Sequence, residues 1–300
     1  MKEISLDLLV LTRREFLAAG LEFVSIEDEV SPPIIDSHVH VWSRNPAFPF
    51  APGAIVPEID ASPATLLRLM EENRILKTVL IQVIHYKYDN HYLVDTLHRY
   101  PHKFAGVCRV NPEDPAAPDD LSRLTEEGCH GVRISPAADG SGDWIRGSLM
   151  KPLWKRCLEL KIPMTLLLPV SRLTDVSPLI EQHPELKVVI DHMADCPVDN
   201  LSKLRQLNAM ARYPNVFVKI SHMWSLSRQP YPYMDAGHMV ARVRDAFGAE
   251  RLMWGTDWPI RPELLSYVKR VDLYRKSIAF LSKKERKEVL YGTVKQVWPI

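Results

Sequence analysis

Short, almost uninterrupted apolar runs alternate along the chain with longer segments whose apolar residues recur every three or four positions. The runs are "PIIDSHV" (33–39), "KTVLIQVI" (77–84), "KFAGVCRV" (103–110), "CHGVRIS" (129–135), "IPMTLLL" (162–168), "LKVVIDH" (186–192), "NVFVKIS" (215–221) and "RLMWGTD" (251–257). They are near-continuously apolar, the pattern of parallel strands covered on both faces. The segments between them carry helix end signals. Ser62 and Pro63 predict an N-cap and a first-turn proline before "ATLLRLMEEN". Asn90 predicts a cap for "HYLVDTLHRY", which Pro101 stops, while Gly128 closes "DDLSRLTEE" and Gly248 closes "MDAGHMVARVRDAF". After the eighth run come "PELLSYVKRVDLYRKSIAFL" and "KKERKEVLYGTVKQVW".

Strand followed by helix, eight times over, predicts an α/β fold of the (β/α)₈ TIM-barrel type. Without an internal repeat or low-complexity linker, residues 31–300 are expected to form one barrel domain. The long stretch from Trp42 to Ala61, with Phe48 and Phe50 among prolines, leaves the C-terminal end of the first strand and is expected to cover a ligand.

Residues 1–30 stand apart as an N-terminal extension, expected as an amphipathic helix over roughly residues 5–20 or a decayed leader. "LTRREFLAAG" resembles a twin-arginine export motif at Arg13 and Arg14. The apolar stretch after it ends at Glu22 and is followed by Glu27, Asp28 and Glu29, whereas an export signal needs about 7–15 apolar residues there. A cytoplasmic location is therefore expected, with export as the alternative.

Composition narrows the partners. The chain is 46% hydrophobic and 25% charged, enough apolar content for one sizeable core. Lys plus Arg is 38 and Asp plus Glu 37, a net charge of +1 that gives no electrostatic case for nucleic acid or an anionic membrane. Cys108, Cys129, Cys157 and Cys196 show neither metal-clip spacing nor a disulfide framework and are expected as free thiols. A small anionic substrate is the expected partner; homo-oligomerisation is left open.

Reactive residues in such barrels cluster at the C-terminal ends of the strands. There stand His38 and His40 on the first strand, Gln82 on the second, Arg109 on the third, Arg133 on the fourth, Asp191 and His192 on the sixth, His222 after the seventh and Asp257 on the eighth. Side chains two apart on a strand share a face, so His38 and His40 point together and can hold a metal ion or polarise one substrate oxygen. Asp257 becomes their neighbour when the eighth strand closes on the first, placed to take a proton from water. Arg109 and Arg133 lie in apolar strands and need anionic partners. Those partners are Asp36 or Asp191, or a substrate carboxylate that the planar guanidinium suits. Gln82, His222 and Trp42 are further candidate substrate contacts. His85, His91, His98, His102, His130, His183 and His238 read as surface or helix residues without a role.

"DSHVHVW", "GVRIS", "VVIDHMADCP", "RLMWGTDWP" and the closing "VLYGTVKQVW" together resemble the amidohydrolase superfamily, within it the amidohydrolase-2 group of pyrone-dicarboxylate and sugar-type lactonases, over about residues 33–298. The resemblance implies a hydrolase that opens a carboxylate-bearing lactone or related cyclic ester. Asp257 would act as base, His38, His40 and His192 would stabilise the oxyanion, and Arg133 and Arg109 would grip the anion. Metal-rich members carry a bridging lysine or glutamate after the fourth strand and a histidine after the fifth; here stand Arg133 and Leu168-Pro169, which argues against two metals. One zinc-like divalent ion on His38, His40, His192 and Asp257, or none, is the expectation. The alternatives are a metal-dependent decarboxylase of the same superfamily and a non-catalytic barrel that binds a small acid.

Overall fold

The computed structural model describes residues 32–135 and 144–300. Each of the eight apolar runs yields one strand: β1 (Ile34–Val39), β2 (Ile75–Ile81), β3 (Phe104–Cys108), β4 (Gly131–Ile134), β5 (Met164–Leu166), β6 (Val188–Ile190), β7 (Val216–Ile220) and β8 (Leu252–Trp254). They pair in parallel in chain order, β1 to β8. Helices at Pro63–Glu72, His91–Arg99, Ala117–Glu126, Met150–Leu160, Leu173–Gln182, Leu201–Ala209, Met234–Phe247 and Tyr267–Ser277 pack between and outside them, completing a (β/α)₈ barrel. The strands are shorter than the runs because the last residues of several runs leave the ladder and form the rim. Asp191, His192, His222 and Asp257 all lie just past a strand end.

Alternation along each strand sorts two cores. Ile35, Val79, Ile81, Ala105, Val107, Val189, Phe217 and Met253 face inward, and Val294, Val297 and Trp298 from the closing helix join them. The opposite faces pack against the helices. Ser62 caps its helix as expected, its side chain accepting from the Thr65 amide. Asn90 does not cap. Its amide instead donates to the Tyr88 and Arg109 carbonyls and accepts from the Arg109 amide, tying the segment after β2 to the end of β3. The loop after β1 packs down beside the rim. Trp42 bridges to Ala61 and donates to the Ile59 carbonyl at 2.9 Å, and Phe50 stacks on Tyr86 at 4.9 Å.

The barrel closes through the residues of the site. The Asp257 amide donates to the His38 carbonyl and the His40 amide to the Trp258 carbonyl, both at 2.8 Å. Asp36, fully buried in β1, accepts from the Thr256 amide (2.9 Å) and hydroxyl (2.6 Å), from the His38 amide (3.2 Å) and from Tyr267 (3.4 Å). Burial raises its carboxyl to about 6 while these bonds pull the other way. Asp36 thus seals β1 to the segment after β8, and the anionic partner of Arg133 is Asp191.

Gly255 sits in that seam because a side chain does not fit. A Cβ there would stand 2.7 Å from the His38 Cβ and 2.9 Å from its amide nitrogen. Gly255→Ala is expected to lower stability by about 1–3 kcal/mol and to displace His38. Calorimetric unfolding checks this, and an unchanged Tm would contradict it.

All four cysteines are buried and unbridged. No helix among the described residues is long and apolar enough to cross a membrane. The expectations for residues 1–30, including Arg13 and Arg14, lie outside the described residues.

Candidate active site

Residues 38, 40, 192, 222 and 257 converge at the C-terminal rim. Asp257 is the hub: its Oδ1 lies 3.4 Å from His40 Nε2 and 3.6 Å from His38 Nε2, and its Oδ2 lies 3.9 Å from His222 Nε2. The His192 ring is 4.6 Å from that of His38 and 4.5 Å from that of His222. Asp257 and His222 both take left-handed backbone (φ 56° and 65°), which turns their side chains inward immediately after the strands. His192 opens a run of four left-handed residues, through Asp195 at φ 47°, that doubles the chain back after β6.

Two of the rings, His40 and His192, are oriented through Nδ1. His40 Nδ1 lies 2.7 Å from the Ile81 carbonyl, and its Nε2 faces Asp257. His192 Nδ1 is 2.8 Å from Ser221 Oγ. Burial, then the charge of Lys219, brings the His38 imidazolium down to about 3. Burial holds His192 well below its ordinary value and lowers His222 as well. Burial alone would raise the Asp257 carboxyl, but His40 and the surrounding rings outweigh it and keep the group ionised.

Beneath this layer lies a buried ionic network. Asp191 Oδ2 accepts from Arg133 Nε at 2.8 Å, while Asp191 Oδ1 is 3.1 Å from Lys219 Nζ and 3.3 Å from His38 Nδ1. The desolvation cost of Asp191 is outweighed first by Lys219, then by His38 and Arg133, and its carboxyl is held well below the usual range. Lys219 was not anticipated from the sequence, although a lysine inside "NVFVKIS" is the visible signal. It shares the inward face of β7 with Phe217 and lies over Trp298. Arg270 was also missed. It donates to the carbonyls of Thr256 (3.0 Å), Asp257 (3.2 Å), Leu265 (3.1 Å), Ile260 and Arg261 (3.2 Å), fixing the segment that carries Asp257.

A cavity of about 290 Å³ opens above the hub, near the lower end of small-molecule sites. His40, His192, His222 and Asp257 form its polar end, Arg109, Arg133, Ser135 and Asp195 a charged side, and Val83, Ile84, Leu167 and Ile260 an apolar wall. Arg109, lowered to about 10 by burial and by Arg133, stays cationic and stacks against Tyr88. Of the other candidates, Gln82 is buried and donates to the Asp89 carbonyl, and Trp42 is held in the loop after β1. Neither is among the residues lining the cavity.

The donor set fits one divalent ion. Tetrahedral zinc with bonds of about 2.0–2.2 Å spaces its ligand atoms roughly 3.3–3.6 Å apart. The His40–Asp257 and His38–Asp257 separations, 3.4 and 3.6 Å, match that spacing. His38 Nε2 and Asp257 Oδ2 are buried with no hydrogen-bond partner among the described residues. His192, His222 and Asp257 form a second grouping of the same kind.

The imidazoles of His38 and His192, which are buried, and of His222, which is partly buried, give a pH signature. The unfolded chain takes up protons near pH 6.5 that the folded site refuses, so their contribution to stability is complete above that pH and declines below it. For His38 the loss continues down to about 3. Metal-free protein should lose up to about 1.4 kcal/mol per pH unit for each such histidine. Asp36, raised to about 6, works in the opposite direction in this window, so the check is Tm in chelator between about pH 7.5 and 5 for wild type against His38→Gln; identical slopes would contradict it.

The comparisons agree with this architecture. The chain is 28% identical over 233 residues to an L-fucono-1,5-lactonase of Burkholderia ambifaria, covering 75% of this chain and 80% of the relative. It is 27% identical to a 2-pyrone-4,6-dicarboxylate hydrolase of Comamonas testosteroni, covering 75% and 76%. It is 24% identical to a 4-sulfomuconolactone hydrolase of Rhizobium radiobacter, covering 75% of each. A zinc-bound amidohydrolase of Burkholderia multivorans superposes with a TM-score of 0.73 at 20% identity, covering 89% of this chain and 99% of that one. The family model described as Amidohydrolase matches residues 35–300. The chain therefore belongs to the amidohydrolase family, in its amidohydrolase-2 group.

Proposed function

We propose that this protein is a hydrolase that opens a lactone or related cyclic ester bearing an anionic group. The observation that carries the reading is an ionised Asp257 ringed by imidazoles at one end of a small cavity whose side wall holds two guanidinium groups. The relatives' names support it: all three act on lactones or a pyrone, and two of those names include a carboxylate or sulfo group.

Arg133 and Arg109 bind the substrate's anion and turn its ring carbonyl toward the histidines. Asp257 takes a proton from water as the water oxygen adds to that carbonyl. The oxyanion accepts hydrogen bonds from ring N–H groups, among them His192 Nε2–H when Ser221 donates to Nδ1. Collapse breaks the ring C–O bond, and the departing alkoxide takes the proton held on Asp257, leaving a hydroxy acid. A divalent ion held by His38, His40 and Asp257, with His192 adjacent, would supply Lewis-acid polarisation or a water of lowered pKa.

The rival decarboxylase reading rests on fold likeness to a 2,6-dihydroxybenzoate decarboxylase, TM-score 0.66 at 16% identity. Leu167, and no histidine, stands at the cavity after β5. The test is a panel of carboxylated, sulfonated and sugar lactones, with and without zinc. Ring opening that releases one proton per turnover is expected. Carbon dioxide release would replace this reading with decarboxylation, and saturable binding without turnover would replace it with a carrier role.

A further inference from the structure

His38 Nδ1 has two neighbours that ask opposite things of it. Lys219 Nζ lies 3.1 Å away and can only donate; Asp191 Oδ1 lies 3.3 Å away and can only accept. A neutral imidazole carries one ring proton, so Nδ1 satisfies one neighbour at a time. If Nδ1 accepts from Lys219, the proton sits on Nε2 and faces Asp257 Oδ1 at 3.6 Å. If Nδ1 donates to Asp191, Nε2 presents a lone pair to an ion, and an ammonium is left facing an N–H group.

Three observations favour the first arrangement. The Lys219 contact is the shorter of the two. Asp191 carries Arg133 on Oδ2 at 2.8 Å, and its Oδ1, the oxygen facing His38, is ion-paired with Lys219 at 3.1 Å. Lys219 is fully buried, so its charge acts on the site through little solvent screening. A second cation placed on the His38–His40–Asp257 triad meets both that repulsion and the loss of the Lys219 hydrogen bond.

We propose that Lys219 is a positioning residue that holds His38 in its Nε2–H form and thereby weakens divalent-ion binding at the His38–His40–Asp257 triad. The triad has the spacing of a metal site, and the lysine behind it sets how firmly that site is held. An Nε2–H on His38 also faces Asp257. The hydrolytic reading does not enter the proposal, because both readouts below are taken without substrate.

The test has two arms. Wild-type protein labelled with ¹⁵N at histidine and stripped of metal is examined by long-range ¹H–¹⁵N correlation, with His38→Gln identifying the His38 signals. A proton on Nε2 is expected; a proton on Nδ1 overturns the proposal without any Lys219 variant having to fold. Zinc is then titrated calorimetrically into wild type and Lys219→Met. The variant is expected to bind zinc about tenfold tighter or more, with its His38 proton moved to Nδ1. Equal or weaker zinc binding by the folded variant overturns the proposal. Lactone turnover enters neither arm, so the lactone panel can fail while this inference stands, and the reverse.

Discussion

Replacing Asp257 with Asn is expected to lower kcat for the productive lactone by roughly 10²–10⁴-fold, the usual contribution of a positioned base. Asn is the informative substitution. It keeps the shape, tolerates the left-handed backbone found at this position (φ 56°) and leaves the hydrogen bond from its backbone N–H to the His38 carbonyl intact. Far-UV circular dichroism and thermal unfolding are expected to stay close to wild type. The carboxyl is held well below its usual range by His40 and the rings around it. It therefore stays ionised through the whole neutral range and imposes no loss of rate there on acidification. An Asn variant within tenfold of wild type would end the assignment of Asp257 as base.

Asp191→Ala should instead be read in stability. The substitution strands Lys219, which is fully buried, and Arg133, which reaches solvent only at the cavity wall; their contacts to the carboxylate are 3.1 and 2.8 Å. Removing one member of a buried ionic cluster costs about 3–5 kcal/mol, because the remaining charges are left uncompensated. For a barrel of this size that corresponds to a fall in Tm on the order of 10 °C. The pH dependence has a defined sign. The folded-state pKa of Asp191 is depressed, so its contribution is present above the ordinary carboxylate range and is lost as pH falls toward the lower folded value. Denaturant unfolding near neutral pH would show the full effect. A midpoint unchanged from wild type would mean that the network adds nothing to the fold.

The eight strands were legible because continuous apolar runs bounded by glycine and proline leave little alternative in a buried parallel sheet. The site was legible where a polar residue ended such a run: His38, His40, His192, His222 and Asp257 all come together. What escaped was the layer below. Lys219 lies within β7 rather than at its end, and only its position between inward-facing Phe217 and Ser221 reveals that its amine reaches the barrel centre. Arg270 sits in an ordinary helical stretch, and nothing in "YVKRVD" signals that its guanidinium binds five carbonyls. Asp36 and Asp191 were equivalent candidates for the arginines by sequence. Only the register of β1 against the segment after β8 sends Asp36 to Thr256 and leaves Asp191 for Arg133. Asn90 looked like a cap because its position suits one, but its side chain satisfies the backbone of Arg109 instead.

The amides of Asp257 and His40 make two of the hydrogen bonds that join the last strand's extension to the first. The closing seam of the cylinder therefore carries three of the site's groups, His38, His40 and Asp257. Any breathing motion that parts the wall there pulls the carboxylate away from its imidazoles, so catalytic competence should vanish with the earliest opening of that edge. Hydrogen exchange at these two amides would then report the lifetime of the working site as well as that of the wall.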